Sequence, residues 1–174
     1  IPIFQKLNEE LDQVQAVIQQ PGRAMFGIGT YGGNIIDVDV QRPTGEEYDS
    51  FEELTPSINI ENTANFTSVE VLNDGSDGKP AVVRATGPDD LLDFINASSI
   101  VAGAGFTFPP SADDRDLPVV IQRDYTLAPG ENAIRIDTTV TNQGGAPLPL
   151  FLGETVNGSG EVEVFQPGYG FGQP

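Results

Sequence analysis

Cysteine, histidine and tryptophan are absent from this chain of 174 residues, and methionine occurs once. Without cysteine there is no disulfide framework and no thiolate metal site. Without histidine the chain lacks the commonest general base, the commonest metal ligand and any serine–histidine triad. These absences exclude several large enzyme classes before any motif is considered.

Cationic side chains are also scarce: Lys and Arg together number 8 against 26 Asp and Glu, which gives a formal net charge of −18. Such a surface repels nucleic acid phosphates and anionic lipids, so we expect no nucleic acid partner. The sequence has no apolar run of transmembrane length, and we expect no membrane insertion. The charge suits cation binding or saline, calcium-rich surroundings.

The chain is rich in turn-forming residues and in segments where apolar and polar residues alternate. The 20 glycines and 14 prolines suit many short strands joined by tight turns. We predict one all-β domain over residues 1–174, an antiparallel β-sandwich. Its centre is 117–157, where three consecutive antiparallel strands are expected. Leu148, Leu150 and Leu152 define the third strand, and Pro147 and Pro149 place its start at an edge or a bulge.

Outside this centre the pattern predicts a mixture of strands and two short helices. One helix is expected from the N-terminus to about Asp12, followed by a strand over 14–19. The other, a surface helix, is expected over 87–95, where Pro88 and two aspartates suit a first turn. A helical turn is also expected at 51–54. A hairpin over 67–86 and a strand over 161–165 complete the pattern, and 166–174 is expected to be a loop.

Arg123 is the one residue that breaks the alternation of its strand, because it occupies an apolar position. One explanation is a bulge or a strand end that lets the guanidinium reach water. The other is an arginine presented on a concave sheet face to an anionic or polyhydroxyl ligand. Asp124 and Glu154 are the only carboxylates suggested as a pair on neighbouring strands, an arrangement that can divide acid and base roles.

Acidic residues cluster at three places, in the turn 73–78, over 89–93 and over 113–116, and suggest a hard cation, with Ca²⁺ the candidate. The turn 73–78 spaces oxygen ligands like the opening of a calcium loop but lacks the closing glutamate of an EF-hand. Solvated turns are the alternative interpretation at each cluster. The candidate ligands are Asp74, Asp77, Asp89, Asp90 and Asp93.

Four short segments carry a resemblance to a known family: YTL at 125–127, IRI at 134–136, VTN at 140–142 and PLFLG at 149–153. Together with YGGNII at 31–36 they resemble the galactose-mutarotase-like β-supersandwich. The segments 19–40, 65–96 and 116–144 are similar to a β-domain near the N-terminus of large secreted or surface-anchored bacterial proteins. Where the epimerases carry a functional histidine, this chain has Glu154, so their acid/base pair is not formed in its usual way.

The resemblance implies a secreted, cell-surface or periplasmic location, and the open C-terminal end suggests a piece of a larger polypeptide. We predict a non-catalytic structural or binding module with a carbohydrate or protein partner. The alternatives are a carbohydrate-active enzyme related to epimerases or lyases, and a self-assembling surface or fibre subunit. The candidate ligand-binding residues are Arg123, Asp124, Tyr125, Glu154 and Asn157.

Overall fold

The structure is a computed structural model, and it describes residues 3–4, 14–25, 30–40, 51–59, 62–91, 105, 116–158, 164–166, 168 and 170–172. Within these residues the regular elements are all strands, so the all-β prediction is confirmed there. The strands are β1 (Ile3–Phe4), β2 (Val14–Ile18), β3 (Ile35–Val40), β4 (Phe51–Ile58), β5 (Asn62–Ala64), β6 (Ser68–Asn73), β7 (Ala81–Gly87), β8 (Asp89–Leu91), β9 (Val119–Leu127), β10 (Arg135–Asn142), β11 (Leu152–Gly158), β12 (Val164–Gln166) and β13 (Gly170–Gly172).

The strands form two main antiparallel sheets and a small hairpin. The larger sheet has seven strands in the order β1-β2-β3-β4-β5-β8, with β11 paired to β4. The smaller sheet has four strands in the order β10-β9-β7-β6, and β12 pairs with β13. Because β11 pairs along the whole length of β4, the strands β3 and β5 share the other edge of β4.

The two main sheets share a β-sandwich core. Ile35, Ile58 and Ala64 come from the seven-stranded sheet, and Ala85, Val119, Ile121 and Tyr125 come from the four-stranded sheet. Phe66, in the link between the sheets, is fully buried in the same cluster. Burial of apolar side chains from both layers is the main force that holds such sheets together.

The predicted strand over 14–19 and the hairpin over 67–86 are confirmed as β2 and the β6–β7 pair. The predicted meander is only half right. Strands β9 and β10 pair as expected, but β11 leaves their sheet and pairs with β4. The prolines at 147 and 149 have no N–H to donate, so 143–151 forms no ladder and carries the chain across to the other sheet.

Other local predictions need correction within the described residues. Asp89–Leu91, expected to begin a helix, is strand β8 paired with β5, and 51–54, expected to be a helical turn, belongs to β4. Ile3–Phe4 is strand β1, whereas the remainder of the expected N-terminal helix lies outside the described residues. The expected terminal loop contains β13, which pairs with β12. For β1, β4 and β8, pairing with another strand prevails over local helical spacing.

Candidate functional site

Arg123 lies inside the sandwich, in the middle of β9. The side chains of β9 alternate between buried and half-buried, and Arg123 is fully buried on the same face as Ile121 and Tyr125. Its register is uninterrupted on both sides, with Ala85 opposite on β7 and Thr138 opposite on β10. The explanation by a bulge or strand end is therefore wrong. The guanidinium is enclosed between two sheets.

The guanidinium of Arg123 is only partly satisfied by the protein. Its Nη2 donates to Oε2 of Glu154 at 2.7 Å, and its carbon lies 5.5 Å from the centroid of the Tyr125 ring. In the part of the chain that the structure describes, the buried Nε and Nη1 have no hydrogen-bond partner. Unpaired donors attached to a buried charge are costly, so this guanidinium has unused capacity to bind an acceptor.

Glu154 reaches Arg123 from the opposite sheet, where it sits on β11. The ion pair therefore ties the two layers together, although its two ends differ in environment. The Arg123 side chain is 0% exposed and the Glu154 side chain is 42% exposed. Because Glu154 is partly exposed to water, the attraction between the two charges is screened.

Tyr125, on the same face of β9 as Arg123, is the third member of the Arg123–Glu154 group. Its hydroxyl donates to the carbonyl oxygen of Gly33 at 2.8 Å. Burial raises the pKa of the Tyr125 phenol, and the nearby Arg123 charge offsets only part of that effect. Tyr125 is therefore a neutral hydrogen-bond donor that links β9 to the turn before β3.

A cavity of about 140 Å³ lies next to the Arg123–Glu154 pair, between the two sheets. Its apolar lining comes from both layers: Pro56, Ile58, Ile121, Val140 and Leu152. Its polar lining includes Thr138 and Glu154. Two neighbours of Arg123 in the smaller sheet, Ile121 and Thr138, thus line the cavity while Arg123 itself stays buried behind them.

The cavity opens beside a strip of exposed apolar side chains on and before β11. Phe151 is 65% exposed, Leu152 50% and Val156 61%. Leu152, Glu154 and Val156 share one face of β11, because side chains alternate along a strand. This face points towards the four-stranded sheet, yet that sheet does not cover it. Exposed apolar side chains next to a cavity are typical of a binding surface.

The other two residues predicted for the ligand site lie elsewhere. Asp124 is on the outer face of the four-stranded sheet, where Arg84 forms a bidentate ion pair with it at 2.7 Å from both Nε and Nη2. Asn157, opposite Glu53, alternates with Glu154 and so lies on the other face of β11. The structure thus brings together Arg123, Tyr125 and Glu154 only. The suggested pairing of Asp124 with Glu154 on neighbouring strands is wrong, because the two residues are on different sheets.

The candidate calcium ligands that the structure describes accept hydrogen bonds from neighbouring side chains and backbone N–H groups instead of converging on one point. Asp74 accepts from the N–H and hydroxyl of Ser76, and Asp77 accepts from Lys79 and Asn73 in the same exposed turn. These hydrogen bonds lower the pKa of both carboxyls. Among the residues that the structure describes, no group of three or more potential metal-ligating acids occurs.

Asp89 and Asp90 separate to opposite faces of β8. Asp89 is buried and accepts from Asn62 Nδ2 and from the backbone N–H of Leu117, while Asp90 accepts from Asn65 Nδ2. Burial raises the pKa of Asp89, and these hydrogen bonds counteract only part of the rise. Asp93 lies outside the described residues.

Two features of this region were missed from sequence. Thr138 occupies an apolar position of β10 between Ile136 and Val140, and it lies opposite Arg123. Arg123 and Thr138 thus both occupy apolar positions and lie opposite each other. Aligning the two predicted strands would have revealed this pair. Glu53 is fully buried and accepts from Thr30 Oγ1, but its segment was expected to be a helical turn and carried no such signal.

Along the described residues no helix is both long and apolar enough to cross a membrane. No family signature, curated protein or solved structure matches the chain.

Proposed function

We propose that this chain is a non-catalytic β-sandwich module of a secreted or cell-surface protein, and that it binds an extended segment of a protein partner along β11. The supersandwich relationship and the location rest on the resemblance of the segments at 31–36 and 125–153. The mode of binding is strand addition, in which a peptide pairs with a free sheet edge.

The observation that carries this proposal is the exposure of β11. In the described part of the molecule β11 pairs with β4 alone, so one edge remains for another strand. Leu152 and Val156 are at least half exposed although they face the sandwich interior. Native proteins usually cover or charge such an edge, and an uncovered one is a template for pairing.

The pattern on β11 also defines the chemistry of the partner. Leu152, Glu154 and Val156 alternate on one face, so a strand lying opposite is best matched by an apolar, a cationic and an apolar residue at every second position. Each matched cross-strand pair contributes about 0.2–1 kcal/mol. The net charge of −18 favours a cationic segment and disfavours a second copy of this chain.

A peptide-display selection tests the proposal directly. The immobilised protein is offered random octapeptides, and we expect enrichment of sequences with Lys or Arg between two apolar residues at alternate positions. Addition of an enriched peptide should slow hydrogen exchange of the β11 backbone amides, because their free edge becomes hydrogen-bonded.

Val156→Arg should abolish binding, because it places a cation opposite the peptide's apolar position. Val71→Arg is the matched control: Val71 is 43% exposed on β6, in the other sheet. The proposal fails if no pattern is enriched, or if the selected peptides bind Val156→Arg as tightly as wild type. Concentration-dependent dimerisation abolished by Val156→Arg would instead support the self-assembly alternative.

A carbohydrate partner is the second candidate, supported by the grouping of Arg123, Tyr125 and Glu154. Only three of the five residues predicted to bind a ligand lie together, and the walls of the adjacent cavity are mainly apolar. Sugar hydroxyls buried against such walls would lack hydrogen bonds. A glycan array in which binding disappears in Glu154→Gln would favour this candidate over strand addition.

A further inference from the structure

We propose that the cavity beside Arg123 binds a small apolar monocarboxylate, and that the carboxylate replaces Glu154 on the guanidinium. This inference does not depend on strand addition along β11. Three observations support it: an enclosed charge with unused donors, a neighbouring apolar cavity, and a counter-ion whose side chain is 42% exposed.

The size of the cavity sets the size of the ligand's apolar part. The volume is about 140 Å³, and the lining is formed mainly by Ile58, Ile121, Val140 and Leu152. In another protein, an engineered apolar cavity of about 150 Å³ binds benzene. A single aromatic ring or a short branched alkyl chain is therefore the group that matches this volume.

Glu154 lines the cavity and accepts from Arg123, so the guanidinium behind it sets the polar part of the ligand. Among the described residues the Arg123 side chain uses only Nη2, and its buried Nε and Nη1 have no hydrogen-bond partner. A guanidinium is shaped to hold a carboxylate through two parallel hydrogen bonds. Glu154 provides only one bond, from Oε2, so a ligand carboxylate with freer geometry satisfies the guanidinium better.

Glu154 is suited to act as an internal competitor for this ligand. Its side chain is 42% exposed, so it can turn into water without losing its hydration. When the ligand enters, one carboxylate replaces another on Arg123, and the apolar body is transferred from water to the cavity. The exchange is nearly neutral electrostatically, and burial of the apolar body drives it.

The lining also excludes other anions. A phosphate group carries more acceptors than one guanidinium and the Thr138 hydroxyl can satisfy, and its second charge would face apolar walls. A carboxylate has one charge and a planar pair of oxygens. The ligand can be a free acid or the C-terminal residue of a peptide, because both present this group on an apolar side chain.

The probes are phenylacetate, its neutral isostere phenylacetamide, and a tripeptide ending in phenylalanine as the free acid and as the amide. Binding is followed at pH 7 by the methyl NMR signals of Ile121, Val140 and Leu152. We expect both acids or one of them to bind, and both amides to bind at least tenfold more weakly. A response to phenylacetate alone identifies a free acid, and a response to the peptide identifies a chain terminus.

Two variants should act in opposite directions. Glu154→Gln keeps a hydrogen-bond acceptor but removes the competing charge, so it should tighten acid binding at least threefold. Arg123→Met should weaken it at least tenfold. Val140→Phe, which leaves both charged residues in place and fills the cavity, should also abolish binding and serves if Arg123→Met does not fold. Equal binding of acid and amide, or no tightening in Glu154→Gln, would overturn the proposal.

Discussion

Arg123 and Glu154 depend on each other unequally. Arg123 is enclosed, whereas Glu154 is partly in water, so loss of either partner has different consequences. Arg123→Met removes the buried charge itself and leaves a carboxylate that is partly in water, so no uncompensated buried charge remains and we expect a change within about 1 kcal/mol. Glu154→Ala leaves the buried guanidinium without its ion-pair partner.

For Glu154→Ala we expect a loss of about 2–3 kcal/mol in the free energy of unfolding, since an unpaired buried charge is costly even after discounting for the exposure of Glu154. Urea denaturation of the two single variants and the double variant measures this asymmetry. The double variant should recover most of the loss. If Arg123→Met is the more damaging of the two single changes, Arg123 is not buried as described.

The raised pKa of Asp89 predicts that the free energy of unfolding depends on pH. Because its pKa is raised in the folded state, mainly by burial, the folded chain binds this proton at a higher pH than the unfolded chain. The contribution of Asp89 to stability therefore increases as the pH falls through the folded pKa, and it decreases as the pH rises.

Asp89→Asn, which stays neutral at every pH, provides the comparison. We expect the unfolding free energy of wild type minus that of Asp89→Asn to increase between pH 7 and pH 4. Denaturation at matched ionic strength measures this difference. A difference that decreases on acidification would mean that Asn62 and Leu117 lower the pKa of Asp89 more than burial raises it.

At the scale of elements, the turn before β3 depends on Gly33. Its φ is +90°, and a Cβ there would lie 2.5 Å from the Cβ of Phe66, which is fully buried. Gly33→Ala should cost about 3 kcal/mol or more, from left-handed backbone strain together with overpacking. It should also disturb the carbonyl that accepts the Tyr125 hydroxyl.

Gly78→Ala is the matched control, because Gly78 has a similar φ of +77° and nothing within 4 Å of its added Cβ. Only backbone strain applies there, so we expect a loss of about 1–2 kcal/mol. Thermal denaturation of both variants measures the difference. Equal losses would show that Phe66 does not pack against Gly33.

The sequence predicted elements well where the apolar alternation was regular, as in β2, β6, β7, β9 and β10. It also identified Arg123 as an exception, but the choice between bulge and interior depends on what covers β9. That cover includes Glu154 on β11, and no local pattern shows which sheet β11 joins.

The same limitation explains β8: Pro88 and the aspartates suit a helix, but Asp89 and Asp90 find partners on and beside β5. Side-chain partners distant in sequence therefore determine which structure these segments adopt.

For the whole molecule, the net charge of −18 predicts a salt-dependent stability. Like charges are closer together in the folded state, so screening them favours folding. The Debye length falls from about 30 Å at 0.01 M salt to about 8 Å at 0.15 M. The free energy of unfolding should therefore rise over this range of NaCl, as measured by urea denaturation. A decrease would mean that ion pairs such as Arg84–Asp124 outweigh the repulsion.

Calcium at the same ionic strength separates screening from site binding. The described aspartates at the 73–78 turn and on β8 are already hydrogen-bonded within the chain. We therefore expect Asp74→Asn with Asp77→Asn to leave any extra stabilisation by Ca²⁺ unchanged. Loss of a Ca²⁺-specific effect in that double variant would establish the turn as a cation site.

The pairing of β11 with β4, and not with β10, leaves both the cavity and the apolar face of β11 open, and both binding proposals depend on it. Backbone nuclear Overhauser effects in the isotope-labelled protein test this pairing most directly. Thr155 lies opposite Thr55, and Gly153 lies opposite Ser57. We predict cross-strand contacts between these pairs and none between β11 and β10. Contacts between β10 and β11 would instead restore a continuous three-stranded meander and contradict both the cavity and the free edge of β11.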